Sequence, residues 1–309
     1  MKTVDRDEDG SVKQELIRAA NDNGLLLNED DLELNESGMD FLVAFAKDLE
    51  GQSWVLRKPR RADVWERALN ERNALNLVRR YLPVQVPDWR ICSPELIAYP
   101  LLSGQPLAVV DPAGSGYLWQ VEQQALNDSF FNSLARALAA LHSIDHAAAA
   151  EAGLKVKQPL EAREAFAEQF EEAKRYFDIP TPLLERWTIW LSVSSGWPSH
   201  SVLNHGDLHP PHILIDETQR VTGFIDWTEA EVGNPGKDFV IYYALFGDDG
   251  LRDLLRRYEL AGGKVWPEMA QHIAEQWAAY PIQVAAFALM TGKESDMEMA
   301  QNMIDGWQV

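Results

Sequence analysis

One stretch constrains this chain more than any other: Leu203-Asn204-His205-Gly206-Asp207-Leu208-His209-Pro210-Pro211-His212, followed by Ile225-Asp226-Trp227. Between Asp207 and Asp226, residues 213–215 and 221–225 are aliphatic, β-branched or aromatic runs. The polar turn 216–220 joins them, which is the pattern of a β-hairpin. Residues 201–203 give an apolar lead into the loop. A hairpin begins and ends on the same edge, so Asp207, His212 and Asp226 are expected in one small site. Such a trio can take a proton from a hydroxyl and hold a divalent cation against phosphate.

At 309 residues, 46% of them hydrophobic, the chain can bury the cores of two lobes around a shared cleft. The single cysteine, Cys92, excludes an internal disulfide framework and fits a reducing compartment. Residues 1–10 are charged and lack an apolar run, so no signal peptide is expected and the expected location is cytoplasmic. The longest apolar stretch near the end, residues 278–290, contains Pro281 and Gln283. It falls short of the roughly 20 residues a spanning helix needs, so no membrane partner is expected.

Net charge is −20, unevenly spread: residues 57–90 hold nine Lys or Arg against four acids, a local +5 that leaves −25 elsewhere. A basic patch in an acidic protein suits phosphate at one end of a cleft and a cation at the other. Arginines on a solvated helix face would look the same. The acidic body argues against nucleic acid as a partner.

Along the chain, residues 11–23 read as a short helix stopped by Gly24, with 1–10 as a frayed tail. Residues 40–46 and 53–57 read as strands around a turn, 63–81 as a helix, and Ile91 and 96–102 as two further strands. After residue 103 the apolar spacing becomes helical over 128–142, 161–177 and 250–260. A last run from Pro267 is kinked or broken at Pro281. A sheet-rich first third and a helical remainder make an α+β protein of two lobes, 1–102 and 103–309, with the chemistry between them.

The Asp207 loop resembles that of the aminoglycoside phosphotransferase-like small-molecule kinases, His-Gly-Asp-Leu-His-Pro-Gly-Asn. Pro211 replaces the Gly, and His212 stands where Asn holds the metal. Other pieces fit a kinase. The turn around Ser37 and Gly38 can lay backbone N–H groups over phosphates, although most such turns merely turn. Arg57 ends a strand where kinases place a lysine, and Glu71, mid-helix, could pair with it. Tyr99, Pro100 and Leu101 sit at the lobe junction, where a purine would meet backbone, or Tyr99 is core.

In order along the chain stand Asn-Glu-Ser-Gly-Met-Asp-Phe, Trp-Val-Leu-Arg-Lys-Pro-Arg-Arg, Val-Pro-Asp-Trp, the Asp207 loop and Ile-Asp-Trp-Thr-Glu-Ala. Together they resemble the bacterial macrolide 2′-phosphotransferases nearly end to end. The resemblance implies a protein-kinase-like fold, Asp207 as base, His212 and Asp226 as Mg2+ ligands, and Arg57 with Glu71 positioning phosphate. It also implies GTP as donor, with ATP as the alternative, and a macrolide acceptor that loses its antibiotic action.

A macrolide needs an apolar floor and an acid for its amine. Glu229, Glu231 and Asp238 are the candidate acids, each equally readable as a surface charge or loop brace. Trp277, Tyr280 and Phe287 are candidate floor residues, equally readable as core. A monomer is the expected state.

Three other readings compete. The same chemistry could serve another cationic alcohol, an aminoglycoside or a choline-like amine. His205, Asp207, His209 and His212 have the density of a zinc hydrolase site, but that reading leaves Asp226, Arg57 and Glu71 unexplained. A ligand-sequestering pocket would be expected to have lost a carboxylate, and both are present.

Overall fold

The structure, a computed structural model, describes residues 6–35, 40–114 and 116–307. The first lobe is built on an antiparallel sheet of β1 (Glu33–Asn35), β2 (Phe41–Lys47), β3 (Ser53–Pro59), β4 (Ile91–Cys92) and β5 (Ile97–Pro100), in the order β1-β2-β3-β5-β4. Alternation along these strands sorts two cores onto its two faces. Leu42, Ala44, Leu56 and Ala98 pack against Leu16, Ile17 and Ala20 of helix α1 (Arg6–Asp22). Phe41, Val55, Ile97 and Tyr99 turn the other way, against Val64 and Ala68 of α2 (Ala62–Val78). Residues 6–10, expected in a frayed tail, belong to α1.

Gln85 ties this lobe to the second by exchanging backbone hydrogen bonds with Thr222 and Phe224. A short strand β6 (Gln105–Pro106) and a hairpin of β7 (Ala108–Val110) and β8 (Tyr117–Trp119) follow. The weak apolar signal of these short strands left them unassigned in the sequence. Next come α3 (Asp128–His142), α4 (His146–Glu151), α5 (Pro159–Tyr176) and α6 (Thr181–Ser192). Strand β9 (Val202–Asn204) enters the Asp207 loop, and the hairpin of β10 (Ile213–Ile215) and β11 (Val221–Phe224) leaves it. Strand β9 pairs not with that hairpin but with β12 (Glu231–Gly233), beyond Asp226.

Helix α7 (Val240–Leu260) begins ten residues before the expected 250 and is broken at Gly247, whose φ is +67°. At Pro281 the run ends rather than bends: α8 (Met269–Ala278) stops, and α9 (Tyr280–Thr291) starts with the proline in its first turn, where no N–H is needed. A final helix, α10 (Glu294–Gly306), lies on α9. The largest core joins α3 and α7 to the strands around the loop through Phe130, Leu138, Phe224, Trp227, Phe239 and Leu254. No helix among the described residues is long and apolar enough to cross a membrane.

Candidate active site

The loop after β9 is held from behind. The Asp238 carboxylate has no solvent exposure and accepts from the backbone N–H of His205 at 2.9 Å and of Gly206 at 2.8 Å. It also accepts from His142 Nε2 at 3.1 Å. Burial opposes its charge, but the His142 bond and the loop N–H groups hold its pKa below the ordinary carboxylate value. Gly206 has φ +87°, and a Cβ there would lie 2.2 Å from the Glu229 carbonyl oxygen, so only glycine fits. His205 is buried against Trp227 and donates from Nε2 to the Ile225 carbonyl at 3.1 Å, bracing the loop. Burial lowers its pKa to about 4.

Asp207 emerges from this brace. His209 Nε2 lies 3.1 Å from its Oδ1. Burial would raise the Asp207 pKa, but the His209 hydrogen bond and the charges of His212 and His209 bring it to about 2. Pro210 and Pro211 open a single 3-10 turn, Pro210–His212, where their missing N–H groups cost nothing. That turn aims His212 back at the loop, where its Nδ1 is 2.7 Å from the Asp207 carbonyl oxygen. A carbonyl only accepts, so Nδ1 carries the proton and Nε2 keeps a free lone pair, 3.9 Å from Asp226 Oδ2.

Asp226 has φ +64°, rare for a non-glycine residue, and its Oδ1 accepts from Thr228 while Oδ2 faces His212. An imidazole lone pair and a free carboxylate oxygen side by side, the ring fixed by a second hydrogen bond, fit a divalent cation completed by water and phosphate oxygens. The three loop histidines point their ring nitrogens at different atoms: His205 Nε2 at the Ile225 carbonyl, His209 Nε2 at Asp207 Oδ1 and His212 Nδ1 at the Asp207 carbonyl. Among the described residues no three His, Cys, Asp or Glu side chains gather as a metal group, which disfavours the zinc hydrolase reading.

From the first lobe, Arg57 reaches both Glu71 oxygens with one terminal nitrogen, at 2.8 and 2.9 Å, beneath the ring of Phe41. Burial opposes the Arg57 charge, but Glu71, then Tyr99 and Asp226, more than offset it and raise the guanidinium pKa. Glu71 also accepts from the Trp227 backbone, and Asn70 Nδ2 donates to the Thr228 and Ala230 carbonyls at 2.9 and 3.1 Å. Helix α2 therefore fastens the Asp226 segment to the sheet, a role for Asn70 that its lone polar signal did not suggest. The Tyr99 ring lies in the core with its hydroxyl on Arg57, so Tyr99 can offer a purine only backbone. Pro100 ends β5 opposite Trp54, and the Leu101 N–H is taken by Ser53. Ser37 and Gly38 lie outside the described residues. The basic segment 57–90 is largely neutralised in place: Lys58 pairs with Glu15, Arg61 and Arg67 with Asp40, and Arg79 and Arg90 with Asp88.

On the acceptor side the candidates separate. Asp238 is corrected: it is enclosed and spent on the loop, so no substrate amine can reach it. Glu231 is partly exposed and ion-paired with Lys157 at 2.8 Å and Lys237 at 3.7 Å. Glu229 is exposed, its backbone against Gly206, and has no ion-pair partner among the described residues. Tyr280 stacks on Trp277 at 5.4 Å and lies near Trp307 at 6.3 Å. Burial and then the Asp207 charge raise the Tyr280 pKa. Phe287, two turns further along α9, is 44% exposed. Glu231 lines a cavity of about 240 Å³ with Phe166, Trp190, Gln276 and Gln283.

The family model described as "Phosphotransferase enzyme family" matches residues 31–272. The chain belongs to that family. This phosphotransferase is 46% identical over 286 residues to the uncharacterized protein YcbJ of Bacillus subtilis (strain 168), covering 93% of this chain and 94% of that one. A solved macrolide 2′-phosphotransferase type I superposes with a TM-score of 0.87 at 39% identity, over 98% of this chain and 99% of the other. The apoenzyme of macrolide 2′-phosphotransferase MphH from Brachybacterium faecium gives 0.89 at 38%, over 96% and 98%. The GDP and kanamycin complex of APH(2″)-IIia, at 18% identity and TM-score 0.68 over 89% of this chain and 92% of that one, shares the fold alone. The fold of this phosphotransferase is therefore the two-lobed kinase-like one, with a sheet in the first lobe and helices in the second.

Proposed function

We propose that this enzyme moves the γ-phosphoryl group of a nucleotide, GTP in preference to ATP, to the 2′-hydroxyl of the amino sugar of macrolide antibiotics. It acts as a cytoplasmic monomer and confers resistance. The observation that carries the reading is the convergence of Asp207, His212 and Asp226 at one hairpin end, beside the Arg57–Glu71 pair. The likeness to macrolide 2′-phosphotransferases over nearly the whole chain supports the acceptor. The lobes divide at residue 102, with the nucleotide between the Ser37–Gly38 turn and the Tyr99–Leu101 junction.

His212 Nε2 and Asp226 Oδ2 hold Mg2+, which when bound neutralises charge on the phosphates. Arg57, fixed by Glu71, presents its remaining N–H groups to phosphate. Asp207 orients the acceptor hydroxyl and takes its proton. With a pKa near 2 it is a weak base, which suits a loose phosphoryl transition state where positioning outweighs proton abstraction. Glu229 meets the protonated amine of the sugar, and Trp277, Tyr280 and Phe287 lie beneath the macrocycle.

Purified enzyme is incubated with GTP or ATP against erythromycin, kanamycin and choline, and product is identified by its phosphoryl mass gain. Phosphorylated erythromycin, with GTP outcompeting equimolar ATP, is expected. Phosphorylated kanamycin with untouched erythromycin would move the acceptor to the aminoglycosides, and an excess of ATP-derived product would overturn the donor.

A further inference from the structure

The hairpin of β7 and β8 lies against the Pro210–His212 turn and reaches the catalytic loop with the Tyr117 side chain. Val110 pairs with Tyr117 and Ala108 with Trp119, while Val109 and Leu118 face solvent. Trp119 packs edge-on against Phe246 at 6.4 Å, and Tyr117 edge-on against Trp119 at 6.3 Å. Aromatic contacts thus seat the hairpin without help from the Tyr117 hydroxyl. That hydroxyl bonds to His209 Nδ1, while His209 Nε2 lies 3.1 Å from Asp207 Oδ1.

The partners fix the protons. A carboxylate accepts, so Nε2 carries the hydrogen, and Nδ1 takes the phenol's proton as an acceptor. The other Asp207 oxygen, Oδ2, is 3.5 Å from His212 Nδ1, but that N–H is committed to the Asp207 carbonyl at 2.7 Å. Oδ2 is left for an incoming hydroxyl. Without Tyr117, His209 is free to place its proton on Nδ1 and turn a lone pair toward Oδ1, which would release the carboxylate.

We propose that Tyr117 is a positioning residue for phosphoryl transfer: through His209 it fixes which oxygen of Asp207 faces the acceptor. The inference rests on Asp207 being the base. Burial, then the Asp207 charge, raises the Tyr117 hydroxyl to about 12, so it stays a proton donor through the working pH range.

The test is steady-state kinetics on the full chain with GTP and erythromycin. Tyr117→Phe should lower kcat about ten-fold, leave both KM values within about two-fold and lower the denaturation midpoint only slightly, since one part-buried hydrogen bond is lost. His209→Leu removes both ring nitrogens, so the Tyr117 hydroxyl has nothing left to orient. In that background Tyr117→Phe should add nothing. Wild-type kcat in Tyr117→Phe, or the same loss in both backgrounds, would overturn the proposal. Should Tyr117→Phe unfold, His209→Gln against His209→Leu decides: Gln faster by about ten-fold supports it, and equal rates overturn it. Asp207→Asn separates the two claims. Retained turnover there removes the base and this inference with it, whereas an inactive Asp207→Asn beside a silent Tyr117→Phe removes the inference alone.

Discussion

Replacing Asp238 by Asn tests whether this buried acid serves the loop or the substrate. Its two oxygens take three donors, the His205 and Gly206 backbone N–H groups and His142 Nε2, at 2.9, 2.8 and 3.1 Å. An asparagine has one acceptor oxygen. Placed at Oδ2 it keeps His205 and His142 but sets an NH2 against the Gly206 N–H. Placed at Oδ1 it keeps Gly206 alone. The better orientation leaves two buried donors unpaired, the Gly206 N–H and the asparagine NH2, about 1–3 kcal/mol each, and turns two charge-assisted bonds into neutral ones, about 0.5–1.5 kcal/mol each. The sum is about 3–9 kcal/mol, a large share of a domain's total of about 5–15 kcal/mol, so the variant should be strongly weakened. Urea unfolding reads the loss, and kinetics reads its effect on the loop. With the N–H anchors next to Asp207 disturbed, kcat should fall about 100-fold while nucleotide KM changes little. An acid that met the sugar amine would give the opposite pattern: unchanged stability, intact kcat and a raised acceptor KM. That result would refute the loop-brace reasoning.

Gly206→Ala should cost about 100-fold or more in kcat with nucleotide binding intact, because a Cβ would strike the Glu229 carbonyl at 2.2 Å; single-turnover rates and nucleotide titration check it. His272 is buried among Trp190, Trp197 and Trp266, accepts from the Asn234 amide, and has its pKa lowered to about 3 by burial. Because the folded value lies below the unfolded one, this stability is complete above about pH 6.5 and is lost as pH falls toward 3, about 2 kcal/mol by pH 5. His272→Leu should start less stable at pH 7.5 yet show a shallower pH slope in urea unfolding; an unchanged slope would rule the residue out. Tyr280→Ala should raise acceptor KM about ten-fold and spare nucleotide KM, with Tyr280→Phe near wild type if the stack with Trp277 is what matters. Equal KM values in all three proteins would remove Tyr280 from the acceptor site.

What was legible in the sequence and what was not divide along one physical line. The hairpin, its two carboxylates and His212 could be read because a two-residue period and a polar turn bring nearby positions together without help from the rest of the fold. Arg57 and Glu71 could be paired only by resemblance, since a strand and a helix must be oriented before their side chains meet. The residues that organise the site were hidden for the same reason. Asp238 is bound to a loop 32 positions earlier and Tyr117 to a histidine 92 positions later, separations at which no periodicity carries information. Asp238 was therefore equally readable as an acid for a substrate amine, a surface charge or a loop brace. One local trace existed. Asn234-Pro235-Gly236 opens a short 3-10 helix capped by the Asn234 side chain, which points Asp238 inward from its first turn. Burial then follows from topology: β12 runs antiparallel to β9 and ends beside Val202, and the 3-10 turn of residues 235–239 brings the chain back to His205 and Gly206 at the other end of β9. A carboxylate placed there has no water to turn to and meets the loop's N–H groups instead. The geometry that makes Asp238 useless to a substrate is the same geometry that makes Asp207 useful.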